Sequence, residues 1–200
     1  MKNSSTFKGG QYLNYYDENL KIGQEYENKI IEFLNQQYYL GILNYKTQEE
    51  QIKYGETNIG IEIKFDMKSE ETKNLYFEYA EKSNPNNSKY VKSGFLREDN
   101  SKYYLIGNSS NFYIFKKEDL KKIYEKYKDS EDLKVQEKFK SIKTSKGYVI
   151  EITSLNKNFW KDKFLKFSFK EIDNNPPNGK VKEFLNLEHI IKKNNFPTPY

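Results

Sequence analysis

The alternation of apolar and polar residues is most regular over residues 59–66, where it predicts a β-strand. Successive side chains of a strand point to opposite faces. Glu62, Lys64 and Asp66 therefore share one face, and the other face is apolar throughout. That apolar face consists of Ile59, Ile61, Ile63 and Phe65. We expect it to pack into the core, which leaves a carboxylate and an ammonium group side by side on the opposite face.

A second pattern, with apolar residues three and four positions apart, predicts a helix over residues 18–38. Its apolar positions include Ile22, Tyr26, Ile30, Phe33 and Leu34. Glu27 falls on the same face, whereas Glu25 and Glu32 point elsewhere. A glutamate on the packed side of a helix is unusual, because burying an unpaired charge is costly. Glu27 is therefore a candidate for chemistry, and the alternative is a glutamate at the edge of the apolar stripe paired with a lysine such as Lys29.

Shorter apolar segments complete the predicted secondary structure. Strands are predicted at 40–46, 75–80, 103–107, 111–115, 148–152 and 165–169, and helices from about 117 and over about 180–193. The polar segment 83–101 is long for a loop inside a compact domain, and such loops often carry function. The order of helix, strands, helix and strands predicts an α/β (α+β) fold, in which helices flank a mixed central β-sheet.

The length of 200 residues suits one domain, with room for an appended lobe. We divide the chain into a core over residues 1–128 and a C-terminal extension over residues 129–200. We expect the extension to pack on the core, as a recognition lobe or a dimer arm.

Composition excludes several kinds of site. The chain has no cysteine and one histidine, which excludes disulfides, thiolate zinc sites, cysteine nucleophiles and histidine-rich metal sites. No segment approaches the roughly 20 apolar residues of a membrane span, so we expect no membrane association. The first residues lead into no apolar secretion segment, which favours a cytoplasmic protein.

The charge balance is compatible with a nucleic-acid partner without identifying one. The chain has 34 basic and 29 acidic residues, for a net charge of +5, and Arg97 is its only arginine. In the polar segment, Lys89, Lys92 and Arg97 alternate with Tyr90 and Phe95. Such a set is suited to grip a phosphate backbone and to stack a base. The alternative is a solvated lysine-rich loop.

Four positions together resemble the active site of the PD-(D/E)xK nuclease superfamily. In that superfamily a helix glutamate precedes an acidic residue at a strand start, and a Glu-x-Lys motif follows on the next strand. The matching residues here are Glu27, Glu56 and Glu62-Ile63-Lys64. Residues 74–82 resemble the next strand of phage-type members, where Glu78 would face the same pocket. The resemblance covers roughly residues 20–116 and implies a restriction-endonuclease-like core.

The first acidic position departs from the superfamily pattern. Glu56 lies six residues before Glu62, whereas the superfamily more often has an aspartate at a longer spacing. Glu49 and Glu50 therefore remain alternatives for this ligand.

The resemblance implies a metal-dependent endonuclease that hydrolyses DNA, in a phage or a restriction or defence system. Mg²⁺ or Mn²⁺ would be held by Glu56, Glu62 and the backbone carbonyl of Ile63, together with waters. Lys64 would position the attacking water or stabilise developing charge. Glu27 would contact a metal-bound water or a second ion, with support from Asp66 and Glu78. Cleavage of both strands would favour a homodimer.

Two other interpretations stay open. Glu62 and Lys64 are also compatible with a solvated strand face carrying an ion pair, worth about 0–1 kcal/mol. The second alternative is a nuclease-like fold that binds nucleic acid or protein without catalysis. The sequence leaves open whether the substrate is DNA or RNA, and whether it is duplex, single-stranded or branched.

Overall fold

The computed structural model describes residues 10–45 and 47–187, which form six helices and eight strands besides short 3-10 turns. The helices are α1 (Gly10–Tyr38), α2 (Gln48–Tyr54), α3 (Ser69–Thr72), α4 (Lys117–Tyr127), α5 (Leu133–Gln136) and α6 (Asn178–Phe184). The strands are β1 (Ile61–Phe65), β2 (Asn74–Glu81), β3 (Val91–Lys92), β4 (Tyr103–Gly107), β5 (Asn111–Lys116), β6 (Phe139–Ile142), β7 (Ser145–Glu151) and β8 (Phe164–Ser168).

The strands form two four-stranded sheets. The first has the order β1-β4-β5-β8, in which β1 runs parallel to β4 and the other pairs are antiparallel. The second has the order β3-β2-β7-β6 and is antiparallel throughout. The predicted α/β (α+β) class with a mixed sheet is therefore confirmed. The second sheet was not predicted.

Two apolar cores hold these layers together. The first lies between helices α1 and α6 and one face of the first sheet, and its fully buried members include Ile30, Leu34, Ile61, Leu105, Ile114, Phe167 and Val181. The second lies between the two sheets, and its fully buried members include Leu75, Phe77, Phe95, Phe115 and Leu120. The first sheet is thus buried on both faces, so a polar side chain on β1 that points to the second core is removed from water.

Most predicted elements occur where the pattern placed them, with some corrections. The predicted strand at 40–46 is wrong over residues 40–45, where Asn44 makes only an isolated bridge to Thr57, and residue 46 lies outside the described residues. The first helix begins at Gly10 rather than at residue 18. Segment 83–101 contains β3 and a short 3-10 helix, Gly94–Leu96, whose Phe95 is fully buried. The last helix ends at Phe184, and residues 188–193 of its predicted range lie outside the described residues.

The predicted boundary at residue 128 falls between α4 and α5. The segment that follows it supplies β6 and β7 to the second sheet and β8 to the first. Its residues also contribute to both cores, as Val181 and Trp160 show. Within the described residues, no helix is long and apolar enough to cross a membrane.

Candidate functional site

The polar face of β1 points into the protein rather than to solvent. Glu62 pairs in register with Tyr104, a member of the second core, and is 0% exposed. Lys64 is only partly buried and lies one strand repeat further along the same face. The strand therefore delivers a fully buried carboxylate beside a lysine that reaches towards the surface.

Glu56 reaches this strand from the loop that follows α2. The helix ends at Gly55, whose φ of +89° lies in the region that favours glycine. The next residue then lies along the free edge of β1, where the Glu56 carboxylate accepts the N–H of Ile63 at 3.0 Å. Thr57 completes this edge: its hydroxyl accepts the N–H of Ile61 at 2.8 Å and donates to the Ile61 carbonyl at 3.1 Å. Side chains thus replace the neighbouring strand that β1 lacks on this side.

Three carboxylates and three cations meet at this edge. We call them the charge cluster: Glu56, Glu62, Asp99, Lys64, Arg97 and Lys117. Lys64 Nζ lies 3.2 Å from Oε1 of Glu56 and 3.2 Å from Oε1 of Glu62. Arg97 Nη2 approaches the same two oxygens, at 2.8 Å and 3.6 Å. The two glutamates therefore converge on one position, which two cations share.

The inner part of the charge cluster is closed to solvent. Lys117 is 2% exposed, and its Nζ lies 2.9 Å from Glu62 Oε2 and 3.0 Å from Asp99 Oδ1. Asp99 also accepts Arg97 Nε at 2.8 Å. Buried charges of this kind require partners, because removing one leaves the other uncompensated in a medium that solvates it poorly.

Electrostatics favours the charged form of these groups. Burial alone would raise the pKa of Glu62, but the positive charges of Lys64, Lys117 and Arg97 outweigh it and hold that pKa below its ordinary value. The pKa of Lys64 is raised, because Glu62 and Glu56 outweigh the opposing effect of burial. Lys64 is therefore an ammonium cation at neutral pH, a form that carries charge and cannot accept a proton.

Glu27 lies next to the charge cluster without belonging to it. Its carboxylate accepts Asn44 Nδ2 at 3.2 Å. Burial, followed by the negative charge of Glu56, raises the pKa of Glu27, while Lys64 acts in the opposite direction. The helix periodicity thus predicted the correct face, and the structure places Glu27 within electrostatic reach of two predicted site residues.

The two predicted supporting acids make other contacts. Asp66 accepts the backbone N–H groups of Ser69 at 3.2 Å and Tyr76 at 2.9 Å, which ties the end of β1 to the start of β2. Glu78 accepts hydrogen bonds from the hydroxyls of Ser93 and Ser145. Within the described residues, neither acid forms an ion pair with the charge cluster.

The three candidates for the first acidic ligand, Glu49, Glu50 and Glu56, lie in different places. Glu50 accepts the hydroxyl of Thr47 at 2.7 Å in a capping box at the start of α2, and Glu49 is exposed on that helix. Glu56 is the acid that the structure brings to Glu62.

The three basic residues predicted to bind DNA occupy different environments. Lys89 is exposed, and Lys92 forms an exposed ion pair with Glu98. Arg97 instead belongs to the charge cluster. The structure therefore does not bring these three residues together in one surface patch.

Sequence reasoning missed Asp99 and Lys117. Asp99 is one of several acids in the polar segment, and Lys117 follows an equivalent Lys116 at the end of β5. Nothing local distinguishes either residue, because their burial comes from contacts between segments far apart in the chain.

The donor set fits a divalent cation held by few protein ligands. Within residues 10–45 and 47–187, no group of three or more His, Cys, Asp or Glu side chains is placed to hold a metal ion. Mg²⁺, however, is commonly bound through one or two carboxylates, with waters and substrate phosphates completing its shell. Glu56 and Glu62 supply two carboxylates, and the Ile63 carbonyl faces the same edge as the Ile63 N–H.

Glu62 is already surrounded by cations of the protein. Both of its oxygens are buried, and Lys64, Arg97 and Lys117 lie at ion-pair distance from them. A divalent cation bound at this carboxylate would take the place of one of these contacts.

No family model matches this chain, and no curated protein or solved structure does.

Proposed function

We propose that this protein is a metal-dependent nuclease that hydrolyses phosphodiester bonds of DNA at the charge cluster. One observation carries the proposal: Glu56 and Glu62 converge on a single ammonium group, Lys64 Nζ, at 3.2 Å each, on the free edge of β1. Two carboxylates and a lysine in this arrangement are the groups that metal-assisted phosphodiester hydrolysis uses. A DNA partner, a cytoplasmic location and a homodimer for cleavage of both strands belong to the same proposal.

Each residue has a role that follows from its environment. Glu56, Glu62 and the Ile63 carbonyl would hold Mg²⁺ or Mn²⁺. The ion would polarise the scissile phosphate and lower the pKa of a bound water. Lys64, held in its charged form, stabilises negative charge that develops on the phosphate. Glu27 has a raised pKa and lies near Glu56, which suits it to accept a proton from the attacking water.

Cleavage of supercoiled plasmid tests this proposal. Wild-type protein should nick or linearise the plasmid with Mg²⁺ and should not do so with a chelator. Lys64→Ala should lower the rate by about 100-fold or more, the effect expected when one preorganised charge is removed from a transition state. Lys122→Ala is the matched control, because Lys122 forms an exposed ion pair with Glu118 at 2.6 Å on α4. Single-stranded DNA and RNA, assayed in parallel, identify the substrate.

Two results would contradict the proposal. One is equal cleavage by the wild type and the Lys64→Ala variant, and the other is no cleavage of any substrate by folded wild-type protein. Circular dichroism of each variant separates loss of activity from loss of fold.

A second candidate function is a nuclease-like module that binds nucleic acid without cleaving it. It is favoured by the balance of the charge cluster, in which three cations match three carboxylates without a metal ion. Melting temperature separates the candidates, because a ligand that binds only the folded state stabilises it. The enzyme should gain thermal stability with Mg²⁺ or Mn²⁺, and Glu62→Gln should abolish this gain. The module should show no gain in either protein.

A further inference from the structure

The Arg97 guanidinium contacts both glutamates at the position that we assign to a metal ion. Its Nη2 atom lies 2.8 Å from Glu56 Oε1 and 3.6 Å from Glu62 Oε1. Lys64 Nζ approaches the same two oxygens, at 3.2 Å each. Positive charges this close to one another repel. Both protein cations would therefore compete with a divalent ion for these two oxygens.

Of these two cations, Arg97 can give up its contact with the glutamates at the lower cost. Its Nε atom also donates to Asp99 at 2.8 Å, so the guanidinium keeps a carboxylate partner when Nη2 moves. Among the described residues, Lys64 has ion pairs only with Glu56 and Glu62, and its backbone is fixed by the pairing of β1 with β4. Displacing Lys64 would leave a charge without any carboxylate, which is destabilising in a partly buried site.

The charge of Arg97 can be moved but not removed. A guanidinium does not lose its proton in proteins. Arg97 can therefore stop opposing a bound cation only if its side chain changes position. It has the freedom to do so, because it follows the short 3-10 helix Gly94–Leu96 outside any strand, and its side chain is partly exposed beside Glu56.

A nucleic-acid phosphate is the partner that would draw the guanidinium away from the glutamates. The planar fork of an arginine side chain binds two phosphate oxygens at once. In the charge cluster three cations already balance three carboxylates, so a divalent ion bound alone would add two uncompensated positive charges. A phosphodiester at the same place adds negative charge and offers Arg97 a partner other than Glu56. The charge balance therefore favours binding of the ion together with a phosphate over binding of the ion alone.

We propose that Arg97 makes metal binding at the charge cluster dependent on nucleic acid. Without nucleic acid, its guanidinium stays on Glu56 and lowers the affinity for a divalent ion. When a backbone phosphate reaches the site, the guanidinium turns from Glu56 to the phosphate, and the Glu56 oxygen becomes available to the ion. The inference rests on the proposed function for the metal site and the substrate, and it adds the control of one by the other.

Mn²⁺ binding without DNA is the first test, measured from the electron paramagnetic resonance signal of the free ion. Arg97→Gln should bind Mn²⁺ about tenfold more tightly than the wild type, because one nearby positive charge is removed. Arg97→Lys keeps the charge and should bind Mn²⁺ as the wild type does. Lys122→Gln is the matched control, because it removes the same charge from an exposed ion pair with Glu118 on α4. It should also match the wild type.

Two further variants secure this measurement. The double variant Glu56→Gln, Arg97→Gln should lose the tighter binding, which would assign the bound ion to Glu56. Melting curves without metal show whether each protein is folded, and Arg97→Met takes the place of Arg97→Gln if that variant is not.

Mn²⁺ binding with a short DNA duplex tests the movement of the guanidinium. The duplex should raise the affinity of the wild type to that of Arg97→Gln, because the phosphate takes the guanidinium from Glu56 in one protein and the substitution removes it in the other. A titration of the duplex alone corrects for the ions that DNA binds. A denaturing gel after each titration shows that the duplex is still intact.

The possible failures differ in what they overturn. Equal Mn²⁺ affinity of the wild type and Arg97→Gln without DNA would overturn the role of Arg97, and so would a difference in affinity that persists with the duplex. Plasmid cleavage by the wild type would support the nuclease in either case. No Mn²⁺ binding by any of these proteins, even with the duplex, would instead remove the metal site and with it both proposals.

Discussion

Lys116 and Lys117 are neighbours in the chain and chemically identical, but their environments are opposite. Lys116 is exposed, whereas Lys117 is 2% exposed and its ammonium group bridges Glu62 and Asp99. Methionine has a similar length and no charge. Its substitution for each lysine therefore measures what a buried and an exposed ammonium group contribute to stability.

We expect Lys117→Met to lower the free energy of unfolding by about 3–5 kcal/mol, because two buried carboxylates lose a shared partner. Lys116→Met should change it by less than about 1 kcal/mol, as is usual for exposed charged side chains. Urea unfolding followed by circular dichroism measures both. A similar small change in the two variants would show that Glu62 and Asp99 do not depend on Lys117.

Glu27 gives a prediction about pH. Burial and the charge of Glu56 raise its pKa, so its ionised form is disfavoured in the folded protein. A group with a raised folded-state pKa stabilises the fold below its unfolded-state pKa and loses that contribution as pH rises through the folded-state value. Glu27→Gln, which keeps an oxygen for Asn44, should therefore raise the melting temperature at pH 7.

The gain from Glu27→Gln should shrink as pH falls below the ordinary glutamate range, where the wild-type side chain is itself neutral. Glu25→Gln is the matched control on α1. Glu25 is exposed, and its ion pair with Lys21 is exposed as well and long, at 3.9 Å. Glu25→Gln should give no gain at either pH. Melting curves at neutral and acidic pH test this. A gain in melting temperature from Glu27→Gln that grew as pH fell would contradict a raised pKa of Glu27.

At the scale of elements, the free edge of β1 determines where Glu62 and Lys64 lie. Thr57, 0% exposed, pairs through its hydroxyl with both backbone groups of Ile61. Valine fills the same volume without the hydroxyl, so Thr57→Val leaves a buried N–H and a buried C=O without partners. We expect a loss of about 1–3 kcal/mol in the free energy of unfolding, together with a loss of cleavage activity.

Thr72→Val is the control for this substitution. Thr72 is exposed, and its hydroxyl donates to the Lys68 carbonyl at 3.0 Å, where water can take its place. Thr72→Val should change the free energy of unfolding by no more than about 1 kcal/mol. If Thr57→Val were equally mild, side chains along the edge would not be what holds β1 in place.

Local pattern was sufficient for three strands of the first sheet and for part of the candidate site. Alternation and apolar runs located β1, β4 and β5, and the alternation on β1 put Glu62 and Lys64 on one face. The edge strands β3 and β6 carry exposed residues and no regular apolar face, so the pattern did not reveal them. The pairing of β1 with β4 joins segments about 40 residues apart, and no local signal encodes it.

Asp99 and Lys117, the buried inner members of the charge cluster, could not be predicted either, because their contacts also join distant segments. The polar segment that carries Arg97 and Asp99 must fold back along Glu56 and Glu62 before its charges meet theirs. Lys117 enters only because α4 starts directly after β5. Spacing along the chain predicts which face a residue occupies, but not which distant charge it meets there.

At the scale of the whole molecule, both sheets are completed by strands that follow residue 128. β7 pairs with β2 over most of its length, and β8 pairs with all but the last residue of β5. A chain truncated after residue 128 would leave β2 and β5 without these partners and both cores open to water. We therefore expect it to lack cooperative thermal unfolding and to expose apolar surface that binds a hydrophobic dye.

A chain that ends at Leu187 is the matched comparison, because it keeps all strands and both cores of the described residues. It should unfold cooperatively, since backbone pairing and core packing along the described residues are intact. A sharp unfolding transition in the shorter chain would instead establish residues 1–128 as an independent folding unit, with the later strands added to it. Because the charge cluster lies wholly within residues 56–117, that result would also make the shorter chain the simplest protein in which to measure cleavage.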